Sequence, residues 1–325
     1  MVEKSDEMNE QGSLKDRIVP VGTEDTMAEA GRKILLADYV KMIESEAGSR
    51  TGEDIEAVHD MRVATRRMRS AFNLLEDYYK ARPIRPFMEM LKSLAGYLGA
   101  VRDLDVMIEG LARYQATLDE ENQAVLQPVI DLMGKKRSKS RKKLVGLLDS
   151  SDYKTFLTYF AEFLMQPGKA VRAINTEETV PYQVRHLLPS LVHERLASVR
   201  AYDNVIEDAD ERTLHSLRIE FKRLRYVVSY FADVLGTSGA DYIEALKAIQ
   251  DHLGELNDMV IAQAYLQTLV DENDFTHETA QVLYEYTSAL SEKQSDLQGL
   301  FSDVWTRFNT RTVQRKLSDA LLVLR

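Results

Sequence analysis

Residues Ala57 to Tyr79 read AVHDMRVATRRMRSAFNLLEDYY, and residues Thr213 to Leu235 read TLHSLRIEFKRLRYVVSYFADVL. A shift of 156 positions lays His59 on His215, Arg62 on Arg218, Arg66 on Lys222, Arg67 on Arg223 and Arg69 on Arg225. The chain carries an internal duplication. Each copy has helical periodicity: Val58, Met61, Met68, Phe72, Leu75 and Tyr79 recur at steps of three and four with Thr65 as the one interruption, and Leu214, Leu217, Phe221, Leu224, Val228, Phe231 and Leu235 keep the same register without a gap. That is a buried stripe.

One position further on runs a second stripe, His59, Arg62, Arg66 and Arg69, matched by His215, Arg218, Lys222 and Arg225. At 100° per residue its members fall within about 80° of arc, beside the apolar stripe. An ordinary solvated face mixes signs at i,i+4, whereas Arg62 with Arg66 and Arg218 with Lys222 set like charges at that spacing, which costs a few tenths of a kcal/mol each. A basic stripe repeated beside a buried seam points to a polyanion that neutralises it. From His59 to Arg69 the stripe extends about 15 Å, long enough for a linear chain of phosphates. Arginine forks suit pairs of phosphate oxygens, and lysine adds a point charge. Glu220 stands three residues before Arg223, the spacing of a surface salt bridge.

HDMRVATRRMR and HSLRIEFKRLR resemble the two signature helices of the CHAD family, an all-helical domain named for a histidine. LGAVRDLD (Leu98 to Asp105) and LGELNDMV (Leu253 to Val260) resemble the family's second recurring element, and the likeness runs from about Met27 to the C-terminus. The resemblance implies an all-α fold: a tandem duplication of a four-helix bundle with pseudo-two-fold symmetry and a basic central groove or pore. It further implies that inorganic polyphosphate is bound without catalysis by His59, Arg62, Arg66, Arg69, His215, Arg218, Lys222 and Arg225, with the protein targeted to polyphosphate granules.

Residues 1–24, polar and without periodicity, are expected to form a loose N-terminal tail ahead of a domain over 25–325. Repeat one is expected over about 25–165, a linker carrying Pro167, Gly168 and Pro181 over about 166–181, and repeat two over about 182–325. The prolines of ARPIRP (Ala81 to Pro86) predict a break, followed by a helix from Phe87 to about Gly99 and another from Arg102 to Ala116. In the second half the same reading separates Ala240 to Leu253 from a helix beginning at Asp258.

The most basic run, KKRSKSRKK (Lys135 to Lys143), falls within a predicted helix from Glu120 to about Leu148. Aligning Leu148 with Leu300 sets Arg141 against Lys293, and these two with Arg137 are candidate lining residues, the remaining lysines being read as surface. Asp103 and its repeat partner Asp258 are expected to hold signature-helix arginines, Arg67 and Arg223, in place. His59 and His215 predict tighter anion binding as pH falls from about 8 to about 6, around an ordinary histidine value of about 6.5.

Composition bounds the alternatives. Net charge is -10, hydrophobic residues make up 44% and charged residues 29%, so a broad positive field for coating nucleic acid is not available. The stripes also lack base-stacking aromatics, and no specific nucleic-acid partner is expected. The absence of cysteine removes disulfides and thiolate chemistry. No apolar run suits a leader or a membrane span, and a cytoplasmic location without membrane contact is expected. The His59-Asp60 dipeptide invites a metal-dependent phosphohydrolase, but no histidine precedes His59 and Asp60 falls on Ser216. No metal, cofactor or enzymatic activity is expected, and a module docking an acidic protein is the alternative, its partners unknown.

Overall fold

A computed structural model describes residues 14–174 and 179–324. Among them the fold is all-α. The first half contains α1 (Met27–Glu44), the short α2 (Glu46–Thr51), α3 (Ile55–Leu74), α4 (Ala81–Gln115), α5 (Glu120–Leu148) and α6 (Ser151–Met165). The second contains α7 (Val184–Arg200), α8 (Glu211–Tyr230), α9 (Ala232–Asp271), α10 (His277–Phe308) and α11 (Arg311–Leu322). Each half thus holds five helices of twelve residues or more. The number exceeds the expected four because α6 and α11 each carry an apolar face that must be covered: Tyr153, Phe156, Phe160 and Phe163 in one, Leu317 and Ala320 in the other.

Polar caps start the helices at their observed positions. Asp54 accepts from the Glu56 N–H at the start of α3, and Asp210 accepts from the Thr213 N–H at the start of α8. Every member of both apolar stripes is buried, from Val58 to Tyr79 and from Leu214 to Leu235. Thr65, the interruption, is buried as well, its hydroxyl donating to the Met61 carbonyl at 2.7 Å.

Three breaks expected from the sequence, at ARPIRP, at Leu98–Gly99 and after Leu253, are absent. α4 runs unbroken for 35 residues, because Pro83 lies in its first turn, where the missing N–H has no helical partner to lose, and only Pro86 lies further inside. Leu98 and Gly99 pass through it without ending it. α9 likewise runs past Leu253 and Gly254; its one departure from helix is Gly236, whose φ of 63° lies in the left-handed region that glycine tolerates. The expected loose tail also needs correction. Residues 1–13 lie outside the described residues, but Val21 is buried and its N–H donates to Asp233 at 3.0 Å, while Lys33 pairs with Asp25 at 2.7 Å. Of the linker, residues 175–178 lie outside the described set, and its first part is pinned where the Lys80 N–H donates to the Ala170 carbonyl and the Arg172 N–H to the Tyr78 carbonyl.

The halves touch where α3 meets α8, where α5 meets α10 and, to a smaller extent, where α1 meets α7. The main core lies around the first. A second, smaller cluster fills the far ends of the long hairpins: Leu111, Leu126, Val129 and Met133 from one half, Leu266, Leu269, Val282 and Leu283 from the other. Tyr114 stacks on Tyr286 there at 4.5 Å between centroids. The turns of α4 and α9 between the two clusters carry Arg102, Asp103, Asn257 and Asp258.

Candidate anion-binding site

α3 and α8 bring their basic stripes into electrostatic contact. Lys222 is pushed down to about 8, first by burial and then by the positive charges of Arg218, Arg66 and Arg62, with Asp258 pulling the other way. Burial also holds the Arg218 guanidinium below its usual value, aided by Arg66 and Arg62 against the pull of Asp258. Arg225 is lowered by burial and by Arg66 and Arg67, with Tyr226 and Asp251 opposing. Residues 150 positions and more apart in sequence therefore share one concentration of positive charge, made of Arg62 and Arg66 from α3 and Arg218, Lys222 and Arg225 from α8. Arg69 stands one turn beyond Arg66. The Nε atoms of Arg66 and Arg69 are buried and have no hydrogen-bond partner among the described residues.

The carboxylates face this cluster from α4 and α9. Asp103 lies 3.8 Å from Arg62. Its carboxyl is raised mainly by burial, with Asp258 adding to the rise and Arg62 opposing it, so the two aspartates are also near each other. The expectation that they hold Arg67 and Arg223 is corrected: Asp103 serves Arg62, and Asp258 acts on Arg218 and Lys222. Arg67 instead bonds Asp38 at 2.8 Å, and Arg223 bonds Glu220 of its own helix at 2.6 Å. The reason is angular, since Arg67 and Arg223 lie one residue, or about 100°, beyond the stripe.

The two histidines open the stripes in different settings. Burial and the neighbouring Arg102 push His59 down. His215 is exposed, its Nδ1 2.9 Å from Asn257 Oδ1. The pH window expected from histidine therefore changes: His59 titrates below its ordinary range in the free protein, and Lys222 is the group placed near 8. Arg102 and Asn257 occupy one repeat position of α4 and α9, each beside its half's histidine. Sequence reasoning singled out only the aspartate that follows each of them, although LGAVRDLD and LGELNDMV carried both. Tyr226 was also missed. Its ring lies under Arg66 at 5.9 Å, and the repeat position on α3 is Ser70, so no duplicated signal marks it.

The candidate lining residues of α5 and α10 are engaged elsewhere. Arg137 pairs with the buried Asp105 and donates to the Gly52 carbonyl at 3.3 Å. Arg141 donates to the carbonyls of Arg50 and Thr51, both at 2.8 Å. Gly52 has a φ of 68°, and a Cβ there would stand 2.3 Å from Arg141 Cδ, so the glycine admits both the turn and the arginine stem. Lys293 pairs with Glu255. Each therefore fastens neighbouring elements instead of adding a free charge to the cationic cluster. Among the described residues, no group of three or more His, Asp or Glu is arranged to hold a metal ion, and no helix is long and apolar enough to cross a membrane.

Fold and site together define an all-helical protein with a cationic cluster gathered from two sequence-related helices. The CHAD domain family profile matches residues 33–267, and the chain belongs to that family. It is 25% identical over 250 residues to uncharacterized proteins from two strains of Mycobacterium tuberculosis, a match covering 73% of this chain and 46% of theirs. The chain thus spans about half the length of these relatives. Among solved structures it resembles the CHAD domain from the plant Ricinus communis, with a TM-score of 0.68 and 23% identity over 95% of this chain and 96% of that one. It also resembles PptA from Streptomyces chartreusis, with a TM-score of 0.65 and 13% identity over 86% and 99% of the two chains. These two likenesses concern the fold.

Proposed function

We propose that the chain binds inorganic polyphosphate without catalysing its turnover, in a basic central groove between two repeats related by pseudo-two-fold symmetry, and that this binding targets it to polyphosphate granules. The observation that carries the reading is the convergence of Arg62, Arg66, Arg218 and Lys222: burial first, and then the three arginines, hold Lys222 down at about 8. Burial and mutual repulsion leave this cluster costly in the free protein, with Asp103 and Asp258 offsetting only part of it. A polyanion relieves that cost, and low-dielectric surroundings strengthen each contact it makes. Arg66 and Arg69 each present a guanidinium with an unused buried Nε donor. A linear polymer fits better than a single phosphate because each stripe extends about 15 Å.

The test is a titration of the protein with long-chain polyphosphate at two salt concentrations, beside a variant carrying Arg62→Ala, Arg66→Ala, Arg218→Ala and Lys222→Ala whose helicity is verified by circular dichroism. We expect salt-sensitive binding by the wild type and a loss of about a hundredfold or more in the folded variant. Absence of binding by the wild type would replace polyphosphate with an acidic protein partner as the leading reading.

A further inference from the structure

Each half carries a groove between the start of its signature helix and the two helices that follow α3 or α8. In the second half it measures about 470 Å³ and is lined by Asp210, Glu211, Arg212 and His215 at the start of α8, the arginine following two acids, by Asn257 of α9, and by Gln294 and Gln298 of α10. In the first half it measures about 910 Å³ and is lined by Ile55 at the start of α3, by Asp105 and Ile108 of α4, and by Lys135, Lys139 and Lys142 of α5.

These two grooves differ in charge. With Leu148 aligned on Leu300, the three lysines fall on Thr287, Ser291 and Gln294, so the second-half groove has none of them. Their i, i+4, i+7 spacing places them on one face of α5. Within the same basic run Lys136 pairs with Glu272 and Arg137 with Asp105, but Lys135, Lys139 and Lys142 have no carboxylate within 4.0 Å among the described residues. Arg137 already partners Asp105. The groove's other acids are Glu109 and Asp131, toward the far end of the hairpin; Asp131 is one turn before Lys135 and about 12 Å along the helix from Lys139. Lys139 and Lys142 therefore stand at the near end with no acid left to them but Asp105, which Arg137 takes up, and that end adjoins the signature stripe, where Arg102 pairs with Glu56 at 3.6 Å: Ile55 is one turn before His59, and Asp105 is one turn after Arg102, the residue beside His59.

We infer that a polyphosphate chain too long for the cleft between α3 and α8 leaves it at the His59–Arg102 end and continues along Lys135, Lys139 and Lys142, with no equivalent track on the second half. The inference rests on the function proposed above. It makes the binding surface one-sided although the signature helices are duplicated.

The variant Lys135→Ala, Lys139→Ala, Lys142→Ala of the full chain is titrated with tripolyphosphate and with long-chain polyphosphate over a range of salt, beside the wild type. Tripolyphosphate affinity is expected to stay within about twofold while long-chain affinity falls about tenfold and the slope of log K against log salt becomes shallower by about 2. Unchanged long-chain binding in the variant would overturn the external track and leave the central site standing. Equal loss for both ligands would place the lysines inside the central site and overturn it as well. A wild type that binds neither ligand would overturn the proposed function and, with it, this extension.

Discussion

On α3, Arg67 shares its Nε–H between both oxygens of Asp38, at 2.8 and 3.0 Å, and its guanidinium lies 4.8 Å from the centre of the Tyr230 ring. At the same repeat position on α8, Arg223 reaches only Glu220 of its own helix. The Arg67 side chain is 24% exposed and its partner Asp38 1%, whereas Arg223 is 56% exposed. The difference arises where the helices meet. Cations alone cannot hold two arginine-rich helices together, because like charges repel. α8 instead contributes Tyr226 and Tyr230, stacked at 5.7 Å, where α3 has Ser70 and Leu74. Arg66 and Arg67 lie over those rings, and the Tyr230 hydroxyl donates to the Arg67 carbonyl at 2.7 Å. The duplicated helices have become complementary by diverging.

The comparison breaks first at Asp38. Asp38→Ala leaves Arg67 without its buried partner and should destabilise the fold by about 3–5 kcal/mol. Glu220→Ala, at the surface pair of the other half, should cost about 0–1 kcal/mol. Urea denaturation of the two variants would measure the gap, and equal losses would mean that the two arginines play the same structural part.

Lys222 sharpens the contrast with Arg66, its always-charged repeat partner. In the free protein Lys222 stands at about 8, and a bound polyanion must raise it. Binding therefore takes up protons: affinity is full below pH 8 and falls as pH rises from about 8 toward the bound-state value, by up to about tenfold per pH unit. Lys222→Arg should flatten that dependence, and isothermal titration in buffers of different ionisation enthalpy should show the proton uptake disappear. For folding the sign is opposite. The lysine is lowered relative to the unfolded chain, so its contribution to the stability of the free protein rises as pH climbs from about 8 toward 10.5.

The smallest expected effect is at Tyr226. Tyr226→Leu removes the ring beneath Arg66 and should weaken polyphosphate binding by about 1 kcal/mol through looser placement of that guanidinium. Tyr226→Phe should change little, because the buried hydroxyl has no hydrogen-bond partner among the described residues. Equal losses in the two variants would assign the role to the hydroxyl instead of the ring.

Much of this was written in local periodicity. The apolar stripes named the buried faces of α3 and α8 residue by residue, and Thr65 joined them because a back-bonded hydroxyl satisfies itself within the helix. The breaks drawn at Leu98–Gly99 and Leu253–Gly254 failed because a glycine inside a helix costs only about 1 kcal/mol, less than the packing of a long hairpin returns. The candidate roles for Arg137, Arg141 and Lys293 failed for another reason: charge and spacing place a residue on a helix face but do not say which acid or carbonyl waits opposite.

The sequence by itself determined the helical class, the duplication, the buried stripes and the basic stripe beside each one, because those follow from residue order at 3.6 residues per turn. Tertiary structure decided which cations stand together and which are spent on internal partners. It set Lys222 near Arg66, gave Arg67 to Asp38, and placed Arg102 beside His59. Electrostatic energy depends on distance and burial across elements far apart in the chain, and a helical repeat encodes neither.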